Sequence, residues 1–224
     1  DALAASLGEI VRAGVSVTAV EKVASASYRV KCSDGAEYDA DQVIVASPAF
    51  AAADMLAGLD AAISGVLRQI PYASMTVICF GYGREQIKHS LDGFGYLIPK
   101  KEGCNTLGTL WDSSMFENRA PEGKVLLRSM MGGACFPEYV KLSDDEVVAR
   151  VRQDLQLTMG IDATPEFVRV FRHPQAIPQY TVGHGMRLQA LEERLKMHPG
   201  LILTGNSYRG IGLNDCVAAA ERAA

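Results

Sequence analysis

The stretch LILTGNSYRGIGLNDCVAAAERAA, Leu201 to Ala224, decides how the chain is read. A short apolar run leads into a turn with three glycines, Gly205, Gly210 and Gly212, and then into an alanine-rich segment. That order predicts strand, turn and helix. Leu201 to Thr204 reads as a buried strand. Glycine lets the backbone turn sharply and lets a ligand approach main-chain N–H groups. Asn214 or Asp215 can cap the helix, whose first turn then offers unpaired N–H groups and a positive dipole end. Such a place suits phosphate or any group that gains negative charge. Ala218, Ala219 and Ala220 would let the helix lie close to a sheet. A plain strand–turn–helix connection accounts for the same residues. The turn is neither a P-loop, which needs Lys followed by Ser or Thr, nor a GxGxxG fingerprint.

Working outward, the other end of the chain has the same α/β texture. Ala2 to Gly14 has helical spacing and a terminal glycine. VSVTAVEKV alternates as a strand does, and Tyr28–Cys32, a turn at Asp34-Gly35 and a further strand read as a hairpin. QVIVASP (Gln42 to Pro48) is a continuous apolar run, as expected of a strand covered on both faces. AFAAADML then starts a helix. From about Ile63 the texture changes. YASMTVICFGY, GFGYLIP, CNTLGTLW and GKVLLRSMMGGA are closely spaced strand candidates, the pattern of an antiparallel sheet. SDDEVVARVRQDLQLTMGI is an amphipathic helix with Ser143 as N-cap, Glu146 three residues on and Gly160 behind it. EFVRVFRHPQAIPQY reads as a strand, and GMRLQALEERLKMHPG as a helix stopped at Pro199-Gly200.

Composition narrows the classes. The 224 residues are 48% hydrophobic and 21% charged, enough apolar content for a real core. A net charge of −4, with no basic block, argues against nucleic acid as a partner. No apolar run reaches membrane-spanning length. Five scattered cysteines without a CxxC pair read as the reduced thiols of a cytoplasmic protein, and the four histidines show no metal spacing. Asp1 opens directly into a helical pattern and Ala224 falls inside one, so the chain is expected to be a piece of a longer protein.

AIPQYTVGH (Ala176 to His184) followed by HPGLILTGNSYRGIGLNDC resembles the C-terminal region of the protoporphyrinogen and coproporphyrinogen oxidases. These belong to the flavin amine oxidase superfamily. TLGTLWDSSMFENRAPEGKVLL (Thr106 to Leu127) and Gly132–Ala134 resemble that family's middle segment. The resemblance implies a fold of α/β plus α+β class. A partial FAD-binding domain, p-hydroxybenzoate-hydroxylase-like, would be interrupted by a mixed, largely antiparallel-sheet substrate domain. Residues 1–50 and 199–224 would belong to the former and 51–198 to the latter, with the GxGxxG unit outside this chain.

The same resemblance implies site residues. Val17 would lay its backbone against the adenine of FAD, and Ile211, Gly212 and Leu213 would form the turn facing the flavin. His173 stands where many relatives have Trp, a departure that weakens any stacking role. Leu110, Leu126 and Met130 would help sandwich a flat tetrapyrrole, whose carboxylates need cationic anchors. The family's main anchor falls outside these residues, and Arg128 and Arg209 read as solvated surface charges. No residue reads as a general base, which fits chemistry carried by FAD. The implied reaction is six-electron oxidation of a porphyrinogen in three two-electron steps with oxygen as acceptor. This chain alone is expected to be inactive. A homodimer and peripheral contact with a membrane are compatible with the family. Another flavin enzyme, acting on an amine or a polyene, is the alternative. It would use an aromatic pair, for which Tyr180 and Tyr208 are the available residues. A non-catalytic relative is a third reading.

Overall fold

The computed structural model describes residues 2–24 and 27–223. Helix α1 (Ala2–Leu7) and a 3-10 turn at Gly8–Ile10 come first. The helix predicted through Gly14 therefore ends early. Glycine at position 8 is a poor helix former, and none of residues 2 to 10 is buried, so no packing sustains a longer helix. Strands β1 (Val17–Ala24), β2 (Ser27–Cys32) and β3 (Glu37–Ala40) form an antiparallel sheet in that order. The β2–β3 turn lies at Asp34-Gly35, where the Gly35 N–H donates to the Cys32 carbonyl at 3.1 Å.

Strand β4 (Val43–Val45) is followed by α2 (Ala49–Leu56) and α3 (Ala61–Leu67). β4 was expected to be covered on both faces. Of its three residues only Val45 is buried, and Ile44 is 50% exposed. The cause is a short sheet: among the described residues β4 pairs with one strand, the parallel β10 described below.

Residues 72–177 build the second texture. β5 (Tyr72–Gly83), β6 (Gly95–Leu97), β7 (Thr106–Leu110), the short α4 (Asp112–Met115), β8 (Lys124–Gly132), α5 (Asp144–Met159) and β9 (Phe167–Pro178) follow in turn. The strands make one five-stranded sheet, ordered β6-β7-β8-β5-β9. One sheet face buries Ile78, Phe80, Tyr82, Val125, Leu127 and Met131 against Val147, Val151 and Leu155 of α5. The capping box forms as predicted: Ser143 Oγ accepts from Glu146 N, and Glu146 Oε2 accepts from Ser143 N at 2.9 Å. Gly160 closes the helix in the left-handed conformation. The buried Asp154 fastens α5 to the sheet, accepting from the backbone N–H groups of Asn105 and Thr106 at 2.8 and 2.7 Å.

α6 (His184–Leu195), β10 (Leu201–Leu203) and α7 (Leu213–Ala223) complete the chain. The compact units divide as Asp1–Pro71 with Pro178–Ala224, and Tyr72–Ile177. The resemblance put the transitions at residues 50 and 198, and the sequence texture put the first of them near Ile63. Specific bonds gather α2, α3 and α6 into the discontinuous unit. The Ala49 N–H donates to Ser207 Oγ at 3.1 Å. Asp60, the N-cap of α3, accepts from Ala62 N and Ile63 N as well as from Arg194 Nε (2.7 Å) on α6 and bonds His198 Nε2 (2.8 Å) beyond it. The Tyr28 hydroxyl donates to the Pro199 carbonyl at 2.8 Å, which seats the chain where it enters β10.

Candidate functional site

In the discontinuous unit, β10 runs into the glycine turn and the turn into α7. Only Leu201 of the predicted strand is fully buried, because β10, like β4, has one strand neighbour among the described residues. The turn is held from one side by the YTVGH segment. The Tyr180 hydroxyl donates to the Asn206 carbonyl at 2.7 Å and accepts from the Gly210 N–H at 2.9 Å. The Tyr180 ring stacks on His184, with centroids 4.0 Å apart and planes 12° apart. His184 Nε2 donates to the Tyr208 carbonyl at 2.9 Å, and the carbonyl partner fixes that nitrogen as the protonated one. One tyrosine and one histidine therefore grip three alternate residues of the turn. Sequence reading quoted this segment as a signature and missed its role. The signal was an aromatic residue and a histidine four apart, at the very start of a helix and just upstream of the turn in the fold.

α7 begins at Leu213, so neither Asn214 nor Asp215 is its N-cap. Asp215 lies in the first turn and reaches back, its Oδ2 accepting from the Gly212 N–H at 3.0 Å. That satisfies one of the four orphan donors of the helix start, and the Leu213 and Asn214 N–H groups point out of the helix without an intrahelical partner. Ile211 and Leu213 are exposed, at 43% and 81%. Gly210 has φ +125°, and a Cβ there would sit 2.4 Å from the Cβ of Asp215. The turn thus admits only glycine at 210 and leaves main-chain donors facing outward, a donor set that fits the electron-rich edge of a flavin. Val17 lies on β1 opposite Cys32 and is 38% exposed.

The continuous unit holds the remaining candidates. Its sheet places Leu126, Arg128 and Met130 of β8 on the face away from α5. Register sets Leu110 and Cys79 on either side of Arg128, Gly81 beside Leu126, and Val77 and Gly108 beside Met130. Leu110, Leu126 and Met130 are thus brought onto one half-exposed face. Beside Leu126, a cleft of about 490 Å³ opens between Gly81, Phe167, Pro121 and the stems of Arg119 and Lys124, within the usual range of ligand sites. His173 is an exposed residue of β9 in this unit.

Arg128 is not a solvated surface charge. Its Nη2 donates to Asp112 Oδ1 at 2.9 Å, and Asp112 is buried at 8% exposure. α4 holds β8 twice over, because Ser113 Oγ also accepts from the Leu126 N–H at 3.0 Å. Burial, with the Asp112 charge adding to it, pushes the Cys79 thiol up, so it stays protonated at neutral pH. Arg209 does pair at the surface, with Glu192. Among the described residues the five cysteines are free, and no helix is long and apolar enough to cross a membrane.

The model of the family described as flavin containing amine oxidoreductase matches residues 1–224. The chain belongs to this family. Within the flavin containing amine oxidoreductases, it is 35% identical to a coproporphyrinogen III oxidase of Bacillus subtilis (strain 168), over 85% of this chain and 40% of that protein. It is 32% identical to a chloroplastic protoporphyrinogen oxidase of Oryza sativa subsp. japonica, over all of this chain and 44% of that one. Among solved structures it superposes on a protein from Exiguobacterium sp. 255-15, provisionally named a protoporphyrinogen oxidase, with a TM-score of 0.77 at 27% identity, covering 93% of this chain and 45% of that one. A putrescine oxidase variant shares the fold with a TM-score of 0.72 at 12% identity, over 99% of this chain and 50% of that chain. The chain spans less than half the length of the curated relatives it matches.

Proposed function

We propose that this chain is the substrate-binding and flavin-turn portion of an FAD-dependent porphyrinogen oxidase, converting protoporphyrinogen IX or coproporphyrinogen III to the porphyrin with oxygen as acceptor. The observation that carries the reading is the sheet face. It gathers three aliphatic side chains, Leu110, Leu126 and Met130, around one guanidinium, at the edge of an apolar cleft. A flat macrocycle with peripheral carboxylates asks for that combination. Relatives named for porphyrinogen oxidation, at 31–35% identity, support it. The amine reading is not supported: the Tyr180 hydroxyl is committed to the turn and Tyr208 is buried at 8% exposure.

FAD, when bound, supplies the two-electron oxidation chemistry. The Ile211–Gly212–Leu213 turn, with the N–H groups of Leu213 and Asn214 that have no intrahelical partner, would hold its electron-rich edge, and the start of α7 favours negative charge there. Val17 would meet the adenine through its backbone. His173 keeps a flavin-side role by resemblance alone. The residues of the sheet face bind and orient the macrocycle and exclude water. No acid or base is asked of them. On this reading the discontinuous unit belongs to the FAD domain and the continuous one to the substrate domain.

The experiment is Leu126→Asp in the FAD-loaded protein of the relatives' length that carries this sequence. A charge on the apolar face is expected to raise KM for porphyrinogen by about tenfold or more with the bound-flavin spectrum unchanged. An unchanged KM would remove the sheet face from the substrate site.

A further inference from the structure

Arg128 stands where an isolated charge is costly. Leu110, Leu126 and Met130 surround it on the sheet face, and a cation among apolar side chains is tolerated only when paired. Its pairing is incomplete. Asp112 takes a single bond, from Nη2, although the guanidinium is built to engage a carboxylate through two parallel donors. Nε is buried and has no partner among the described residues. Nη1 has none either, and the side chain remains 38% exposed. Asp112, by contrast, opens α4 with only 11% of its side chain exposed. The arrangement is a cation held by one carboxylate through Nη2, with Nη1 left unpaired among the described residues and apolar side chains beside it in the sheet register.

We propose that Arg128 is a carboxylate anchor of the substrate site. Nη1 receives a peripheral propionate of the tetrapyrrole while the ring lies on Leu110, Leu126 and Met130, and Asp112 positions the guanidinium. This rests on the porphyrinogen reading above and adds to it an anchor supplied by this chain's own sheet. A structural ion pair alone would have no use for the unpaired Nη1. Replacing the substrate's carboxylates by esters keeps its shape and removes what Arg128 is said to recognise, and that contrast defines the test.

The probes are coproporphyrin III and its tetramethyl ester, with binding to the FAD-loaded protein of the relatives' length read by fluorescence quenching. Arg128→Met is expected to weaken the acid by about tenfold or more and to leave the ester within about twofold of wild type. Arg128→Lys, which restores the charge without the planar fork, recovers part of the loss. Equal loss of acid and ester, or no loss of either, overturns the proposal. Asp112→Asn decides the matter if Arg128→Met does not fold. The amide oxygen still accepts from Nη2, and removal of the competing charge tightens acid binding alone, whereas unchanged acid binding counts against an anchor. If the wild-type protein binds neither porphyrin, the porphyrinogen reading itself fails and Arg128's role falls with it. If the wild type binds the acid and the variants behave alike, only the Arg128 assignment fails.

Discussion

Gly210→Ala is expected to cost the flavin its seat. The residue sits at φ +125°, outside the range of ordinary L-residues, and its new methyl would lie 2.4 Å from Asp215 Cβ and 2.6 Å from Asp215 Cγ. Neither atom is the free end of a flexible chain, since Asp215 is rooted in α7 and bonded to the Gly212 N–H. Strain of this kind costs about 1–3 kcal/mol, and relief requires the turn to move away from α7. The same movement breaks the bond from Gly210 N to the Tyr180 hydroxyl. The turn at Ile211 to Leu213, and the unpartnered N–H groups of Leu213 and Asn214 behind it, then lose their alignment, and FAD affinity should fall by about tenfold or more, read by flavin fluorescence. Gly35→Ala is the control. Gly35 also has positive φ, at +85°, but nothing lies within 4 Å of its would-be Cβ. It should show the backbone strain, about 1 kcal/mol, and full flavin retention. A Gly210→Ala protein that holds FAD like wild type would detach this turn from the cofactor.

Asp60→Ala is expected to be the most destabilising single change in the discontinuous unit. One carboxylate caps α3, ties Arg194 of α6 to it and bonds the buried His198 ring. Losing the cap costs about 1 kcal/mol. Leaving the buried imidazole without its partner adds about 1–3 kcal/mol. The sum, about 2–4 kcal/mol, is measurable by urea unfolding and is a large part of ordinary domain stability. Burial by itself pushes the Asp60 carboxyl up, but hydrogen bonds from His198, Arg194 and the Ile63 and Ala62 backbone outweigh it and draw it down to about 2, from an ordinary 3.8. A carboxyl lowered on folding contributes stability that is complete above its unfolded value and is lost as pH falls toward the folded one. Stability should therefore decline between about pH 4 and pH 2 by about 2 kcal/mol from this group. Asp60→Asn should flatten that segment. A variant whose acid limb matches wild type would show that the charge on Asp60 does not carry the junction.

The parts of the fold legible in the sequence were those governed by local chemistry. The capping box at Ser143 and Glu146, the left-handed Gly160 and the Asp34-Gly35 turn all appear where residue types demand them. β8 and β7 were read as strands, and their period of two sufficed to put Leu126 and Met130 on one face. What was not legible depends on partners distant in sequence. Arg128 looked like any arginine until Asp112 was found beside it. Asp60 was not singled out in the sequence, and its bonds to residues 134 and 138 positions away carry no local signal. β4 was read as doubly covered because an apolar run records what a strand is suited to, and its exposure depends on which neighbours are present. The helix start of α7 was misplaced by two or three residues because Asp215 caps from inside the helix, which spacing alone cannot tell from a true N-cap.

The most direct test of the account is porphyrin formation. The FAD-loaded protein of the relatives' length that carries this sequence would be given coproporphyrinogen III and protoporphyrinogen IX in parallel, with porphyrin fluorescence followed above the autoxidation blank. The account predicts enzyme-dependent porphyrin from at least one of the two. Flat traces with both substrates, from a protein whose flavin is bound and reducible, would contradict it.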